Sequence, residues 1–209
     1  TYPNMLTREG LRGQEWNAWS SDGGNPPEHL TIVPFTRMLA GPIDYTPGIF
    51  DIKFKKYRPN NQVNTTLAQQ LALYVVIYSP VQMAADLPEN YEGNAALQFI
   101  KDVPVDWQKT KVLDGEIGDY VVIARKDRAC NNWFLGAVTD ENSRSINIDL
   151  SFLDKDKKYK AVIYKDAEDA HWDKNPTAYK IEEVEVSNSG SLEIWLAEGG
   201  GAAISFFEL

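Results

Sequence analysis

Cysteine and histidine are scarce in this sequence. Its 209 residues include one cysteine, Cys130, and two histidines, His29 and His171. A single cysteine excludes an internal disulfide and a cysteine-based zinc site. Cys130 lies in the polar segment 128–132 with no histidine beside it, so the pattern does not indicate a catalytic thiol. Each histidine stands alone, a setting in which histidine is more often structural than catalytic.

Long apolar runs and an excess of positive charge are also absent. The longest apolar-rich stretch, residues 71–78, is far shorter than the roughly 18 residues of a membrane-spanning helix. Asp and Glu number 30 against 21 Lys and Arg, a formal net charge of -9. Such a chain repels phosphate backbones and anionic lipid surfaces. We therefore expect no membrane span in this segment and no nucleic-acid partner.

The start of the chain carries no recognisable N-terminal signal. It begins at Thr1, without an initiator methionine and without a charged-then-apolar leader pattern. We expect the natural N-terminus to lie elsewhere.

The pattern of the chain changes once, within residues 87–110, which contain Pro88, Gly93 and Pro104. Before this stretch, helices alternate with loops rich in glycine and proline, which is typical of an α/β fold. After it, short alternating segments are separated by polar turns, which is typical of an all-β fold. We therefore predict an α/β part followed by an all-β part.

Two helices and a strand are predicted in the first part. Asn25 should cap a helix that is bent at Pro34 and runs toward Ala40, where Gly41 ends it. A second helix, over residues 66–78, opens with the capping-box pair Thr66 and Gln69. Its apolar faces predict that it is largely enclosed. Residues 80–85 are predicted to form a buried strand after it.

The second part shows strict alternation of apolar and polar residues over 146–152, as in a two-layered antiparallel sheet. Further strands are predicted at residues 120–124, 133–139, 159–164, 179–186, 192–196 and 203–207. About seven short strands at this spacing indicate a β-sandwich.

Residues 7–19 carry the densest chemical signal, because two carboxylates, Glu9 and Glu15, lie among glycines, arginines and tryptophans. Two glutamates on a loop can bind a hard cation such as calcium, or divide acid and base roles. Trp16 and Trp19 offer flat apolar surfaces for sugar faces. A solvated loop with incidental Glu–Arg pairs, each worth about 0 to 1 kcal/mol, is the alternative. A strand over residues 2–7 would place this loop where barrel enzymes hold their catalytic groups.

The run TYPNMLTREGLRGQEWNAWS, continued by GGNPPEHLTIVPFTRMLAGPIDYTPGIF, resembles glycoside hydrolase family 97. Members of that family are calcium-dependent α-glucosidases and α-galactosidases. The resemblance also covers TTLAQQLALYVVIYSPVQMAADLPENY, VLDGEIGDYVVIARK and WFLGAVTDENSR, so it extends over essentially the whole chain.

The resemblance implies that residues 1–105 are the C-terminal units of a (β/α)8 catalytic barrel and that residues 106–209 are a C-terminal antiparallel β-sandwich. Glu15 matches the general acid and also approaches the calcium, and Glu9 matches a calcium ligand. The second catalytic carboxylate would lie upstream of Thr1, together with the residues that decide glucosidase against galactosidase and inverting against retaining chemistry.

The implied partners are an α-linked gluco- or galacto-oligosaccharide and either the missing N-terminal part of the enzyme or a second copy of the chain. The isolated chain should then be inactive, and the family's habit places it in the periplasm or outside the cell. The alternative is a non-catalytic carbohydrate-binding or structural β-sandwich fragment.

Overall fold

The computed structural model describes residues 6–209, and its secondary structure is mostly antiparallel sheet. The α-helices are α1 Glu15–Trp19, α2 His29–Ile32, α3 Leu67–Val76, α4 Pro88–Tyr91 and α5 Leu97–Asp102. Short 3-10 turns cover Val33–Phe35, Arg37–Ala40 and Leu150–Phe152. The strands are β1 Trp107–Glu116, β2 Tyr120–Asp127, β3 Trp133–Thr139, β4 Arg144–Asp149, β5 Lys158–Asp166, β6 Tyr179–Ser187, β7 Ser191–Leu196 and β8 Gly201–Glu208.

The strands form the predicted β-sandwich. One sheet has six strands in the order β1-β2-β3-β8-β5-β6, and the other consists of β4 and β7; every pairing is antiparallel. The small sheet covers one face of the large sheet, with Trp133 and Ile204 between them. The opposite face, with Phe134 and Val138, packs against α3. Strand β3 is buried along its whole length because both of its faces are covered.

Two strands differ from the sequence prediction. Strand β1 was not predicted, because its sequence, WQKTKVLDGE, does not alternate apolar and polar residues; it lies at the edge of the sheet with most of its residues exposed. The predicted strand over residues 146–152 ends at Asp149, whose carboxylate accepts a hydrogen bond from the Ser151 N–H. Leu150 and Phe152 therefore reach the core from a 3-10 turn.

Helix α3 is as enclosed as the sequence predicted, and all ten of its residues are buried. Thr66 caps it, accepting from the Gln69 N–H at 3.2 Å. The Gln69 side chain does not complete a capping box. It donates instead to the carbonyls of Thr139 and Gly200, at 2.8 and 3.0 Å, and so ties the helix to the sandwich.

The other end of α3 is held by Arg125 of β2, whose Nε donates to the Val75 carbonyl at 2.6 Å. A cation at a helix C-terminus also interacts favourably with the helix dipole. In the middle, Gly136 of β3 faces the helix so closely that an added Cβ would lie 2.5 Å from the Ala72 carbonyl oxygen. The sandwich therefore contacts α3 along its length.

The helix predicted from Asn25 toward Ala40 is wrong in its extent. It consists of α2, only four residues long, and two 3-10 turns, because Pro34 cannot continue a regular helix. Asn25 does not cap it. Gly41 ends the second turn with φ 113°, as expected of a C-terminal glycine.

The strand predicted over residues 80–85 does not form. Gln82 donates to the Ile77 carbonyl at the end of α3, and the Ala85 N–H donates to Pro47. The segment therefore pairs with a helix end and a loop, and no neighbouring strand lies beside it in residues 6–209. The strand predicted over residues 2–7 falls mainly outside the described residues, and Leu6 and Thr7 belong to no strand.

Residues 6–105 contain short helices, turns and one isolated parallel bridge, between Arg8 and Ile43. None of the helices in the described part of the chain has the length and apolar character needed to cross a bilayer.

A buried carboxyl lies where α3 meets the turn between β7 and β8. Asp166 is 3% exposed, and its Oδ2 accepts from the N–H groups of Ala197 and Gly201 at 2.9 and 2.8 Å. Burial raises the pKa of Asp166 to about 7, although these two donors and the Thr66 hydroxyl lower it.

Replacing Gly136 with alanine should destabilise the chain by about 1 to 3 kcal/mol, because the new methyl group overpacks the contact between β3 and α3. Chemical denaturation followed by circular dichroism measures this. Gly190→Ala is the matched control, since a Cβ there meets atoms only at 3.5 Å or more. Equal effects of the two substitutions would contradict the close packing of α3.

Asp166→Asn should change how stability depends on pH. The folded chain holds this proton up to about pH 7, whereas the reference carboxyl releases it near 3.8. Protonation therefore favours the folded state, and the contribution of Asp166 falls as pH rises from about 4 to about 7. The difference in unfolding free energy between wild type and Asp166→Asn should shift against the wild type over that range. A constant difference would contradict the burial argument.

Candidate functional site

Glu15 is the first residue of α1, at the end of a loop that is fixed by side-chain bonds to its carbonyls. Asn25 Nδ2 donates to the carbonyls of Gly13 and Arg12, at 2.9 and 3.2 Å. His29 Nε2 donates to the Arg12 carbonyl at 3.1 Å, and burial lowers the pKa of this histidine. His29 therefore supports the loop as a neutral side chain, in line with its expected structural role.

The Glu15 carboxylate has one hydrogen-bond donor within the described chain. The Thr46 hydroxyl donates to its Oε2 at 2.8 Å, and the same hydroxyl accepts from the Gln14 N–H at 3.0 Å. A Cβ at position 13 would collide with both carboxylate oxygens, so the carboxylate occupies space that only Gly13 leaves open. The carboxylate is thus held by Thr46 and lies against Gly13, while Glu15 itself is exposed.

The residue before Glu15 is anchored in the core. Gln14 is 2% exposed, and its Oε1 accepts from Gln70 Nε2 of α3 at 3.0 Å. Tyr45 is buried near this residue. Its burial, and to a smaller extent the charge of Glu15, raise the pKa of the Tyr45 hydroxyl, which therefore stays protonated.

Glu9 is exposed, and the backbone around it is held by hydrogen bonds. Arg37 Nε donates to the Glu9 carbonyl at 2.8 Å, and the neighbouring Arg8 carbonyl accepts from the Asp44 N–H at 2.9 Å. Segment 43–46 therefore forms hydrogen bonds with both parts of the loop. Asp44 bonds to Arg8, the residue before Glu9, and Thr46 bonds to Glu15.

The two tryptophans of the loop have different surroundings. Trp16 forms an edge contact with Trp19 at 4.7 Å between ring centroids, and the Arg12 guanidinium lies 4.6 Å over the Trp16 ring. Trp19 is 59% exposed. Trp19 is therefore the accessible aromatic surface beside Glu15.

A calcium site requires a set of oxygen donors. Carboxylate oxygens are the ligands that calcium prefers, and calcium takes about six to eight of them. Glu9 and Glu15 provide suitable donors, but residues 6–209 contain no cluster of three or more His, Cys, Asp or Glu side chains placed to hold a metal ion. The two glutamates therefore fit a calcium site only as part of a larger set of ligands.

Several supporting residues were not predicted from the sequence: Gly13, Gln14, Thr46 and Gln70. Thr46 and Gln70 are distant from Glu15 along the chain, and neither residue type marks a site by itself. The prediction that Asn25 caps a helix was wrong. Its side chain instead donates to the Gly13 carbonyl and supports the loop before Glu15.

Comparison with known proteins finds glycoside hydrolases that match this chain along its length. A family model described as glycosyl-hydrolase 97 C-terminal, oligomerisation, matches residues 106–207. A retaining alpha-galactosidase of Bacteroides thetaiotaomicron is 39% identical over 98% of this chain and 31% of its own length. A probable retaining alpha-galactosidase of Streptomyces bingchenggensis is 34% identical over 65% of this chain and 19% of its own.

Among solved structures, a glycoside hydrolase family 97 enzyme from Pseudoalteromonas sp. strain K8 superposes with a TM-score of 0.96 at 55% identity. The match covers all of this chain and 32% of that enzyme, which has been solved with acarbose and, as a variant, with panose. The chain spans about a third of the length of the Bacteroides and Pseudoalteromonas proteins. The similarity over its full length shows that this chain belongs to glycoside hydrolase family 97 and corresponds to the C-terminal portion of its members.

Proposed function

We propose that this chain supplies the general acid and part of the calcium site of an enzyme that hydrolyses α-glycosidic bonds in gluco- or galacto-oligosaccharides. The observation that carries the proposal is the Glu15 carboxylate, held by Thr46 at the exposed start of α1. It lies in a chain that aligns over its full length with family 97 enzymes. The relatives' names support both sugar types: an alpha-galactosidase, and an enzyme bound to panose or acarbose.

Glu15 would act on the leaving group. Cleavage of a glycoside needs one carboxylic acid that protonates the glycosidic oxygen and a second carboxylate that acts as base or nucleophile. The proton of Glu15 passes to that oxygen as the bond to the anomeric carbon breaks, and the bonding electron pair stays with the leaving oxygen. The nucleophile, a carboxylate or a water, supplies the new pair to the anomeric carbon. We assign that second group to a part of the enzyme outside this chain.

Residues 1–105 would be the last units of a (β/α)8 barrel and residues 106–209 the C-terminal sandwich. The parallel bridge between Arg8 and Ile43 supports the barrel assignment, because parallel pairing is the pairing of barrel strands. The start of β1 at Trp107 and of the family-model match at residue 106 support the boundary.

Calcium would bind at Glu9 and Glu15 together with ligands from the rest of the enzyme. When bound, the ion would supply positive charge that stabilises negative charge on reacting oxygens. Within this chain, the bonds of segment 43–46 to Arg8 and to Glu15 support such a shared role.

The remaining barrel units or a second copy of the chain would cover apolar side chains that are exposed here. Leu39 is 82% exposed and Trp19 59%, both within residues 6–105. The family description mentions oligomerisation, which supports self-association through the sandwich. Periplasmic or extracellular placement is part of the proposal. The second candidate, a non-catalytic carbohydrate-binding fragment, is favoured only by the exposed Trp19.

In the full-length enzyme, Glu15→Gln should lower kcat on substrates with poor leaving groups by about 10²- to 10⁴-fold, because their departing oxygen needs a proton. Activated aryl glycosides should lose much less activity. The measurement is kcat for a natural α-linked disaccharide beside kcat for a nitrophenyl α-glycoside. Glu141→Gln, an exposed change in the sandwich, is the control. Equal losses on both substrates would contradict the acid role.

In the same enzyme, Glu9→Gln should raise the calcium concentration needed for half-maximal activity, since one carboxylate ligand becomes a weaker neutral one. Calcium titration of the chelator-treated enzyme, followed by activity and by calorimetric calcium binding, measures this. Glu141→Gln again serves as the control. Full activity of the wild type after exhaustive chelation would contradict the calcium assignment.

A further inference from the structure

We infer that Thr46 is a positioning residue that fixes which oxygen of Glu15 faces the substrate. The inference rests on the proposed function, because it assigns Glu15 the role of general acid. Its basis is the pair of hydrogen bonds at the Thr46 hydroxyl, one received from the Gln14 N–H at 3.0 Å and one donated to Glu15 Oε2 at 2.8 Å.

A threonine hydroxyl has a single proton to donate. The Gln14 N–H can only donate, so it occupies an acceptor position on Thr46 Oγ1 and the hydroxyl proton is left to point at Glu15. Oε2 therefore acts as the acceptor of this bond. Oε1 is the oxygen left to deliver a proton to the glycosidic oxygen.

The carboxylate also occupies a space that a side chain at position 13 would fill. It lies against Gly13, where a Cβ would collide with both of its oxygens. Gly13 thus leaves the space that the carboxylate occupies, and the Thr46 hydroxyl holds the carboxylate there. Restraint of this kind matters because a catalytic group displaced by about 1 Å can lose on the order of 100-fold in rate.

Thr46 and Glu15 are kept at a fixed separation by one buried side chain. Gln70, which is 0% exposed, donates through Nε2 to Gln14 Oε1 at 3.0 Å, next to Glu15. Its Oε1 accepts from the N–H groups of Gly48 and Ile49 at 3.0 and 3.1 Å, just after Thr46. Both segments that meet at the acid are therefore bound to the same amide of α3.

The experiment compares Thr46→Val and Thr46→Ser in the full-length enzyme. Thr46→Val keeps the shape but removes the hydroxyl, and should lower kcat on a poor-leaving-group disaccharide about 10- to 100-fold, as expected for a hydrogen bond to a charged group. KM should change little, and the loss on a nitrophenyl α-glycoside should be smaller. Thr46→Ser, which retains the hydroxyl, should stay within about threefold of wild type.

Two further variants make the test specific. Thr36→Val is the matched control, because the Thr36 hydroxyl donates to the Ile32 carbonyl and has no bond to Glu15. Adding Thr46→Val to Glu15→Gln should cause no further loss of kcat on the disaccharide, since the two residues act as one unit. Thr46→Ala replaces Thr46→Val if the latter fails to fold, as judged by circular dichroism.

The inference is overturned if Thr46→Val lowers activity equally on both substrates or leaves it unchanged on both. It is also overturned if Thr46→Val lowers the activity of the Glu15→Gln variant as much as that of the wild type. If Glu15→Gln discriminates between the substrates and Thr46→Val does not, this inference fails while the proposed function stands. If Glu15→Gln itself does not discriminate, both fail together.

Discussion

Two neighbouring amides on a fully buried helix hold the described parts of this chain to one another. Buried polar groups require hydrogen-bond partners, and α3 carries Gln69 and Gln70 where neither can reach water. The Nε2 of Gln69 finds its partners in the sandwich, at the carbonyls of Thr139 and Gly200, whereas its Oε1 is buried without a partner. Gln70 finds its partners in the loops around Glu15. The hydrogen bonds of these two side chains therefore fix the sandwich and the candidate site to the same helix.

The sequence predicted the elements whose signals are local. The apolar faces of α3 and the alternation of the β strands lie within a few residues of each other, and those elements formed. The helix predicted beyond Pro34 did not form because proline interrupts a regular helix. Strand β1 was missed because its sequence, WQKTKVLDGE, does not alternate apolar and polar residues. The strand at 80–85 failed because a strand depends on a neighbour, which the segment itself cannot specify.

The candidate site likewise combines residues that the sequence marks locally with residues that only the fold brings together. Glu9 and Glu15 stood out as two carboxylates among glycines, arginines and tryptophans, and the family resemblance implied their roles. Glu15 lies at the start of α1, at the end of a loop with several fixed contacts. The partners of Glu15 come from distant positions, such as Thr46, 31 residues away. A threonine or a buried glutamine carries no mark of such a role in a single sequence. Only the fold brings Gln70 and Thr46 to the acid, so this part of the site could not be read from residue types and spacing.

The charges around the loop argue against the alternative of incidental Glu–Arg pairs. Arg12 pairs with Asp22 at 3.7 Å, and the donors of Arg37 go to backbone carbonyls, including that of Glu9. No ion pair in the described part of the chain involves the carboxylate of Glu9 or Glu15. Arg37 thus holds the backbone of the loop, and Arg12 pairs with Asp22. Within the described part of the chain, the alternative of incidental Glu–Arg pairs therefore has no ion pair to support it.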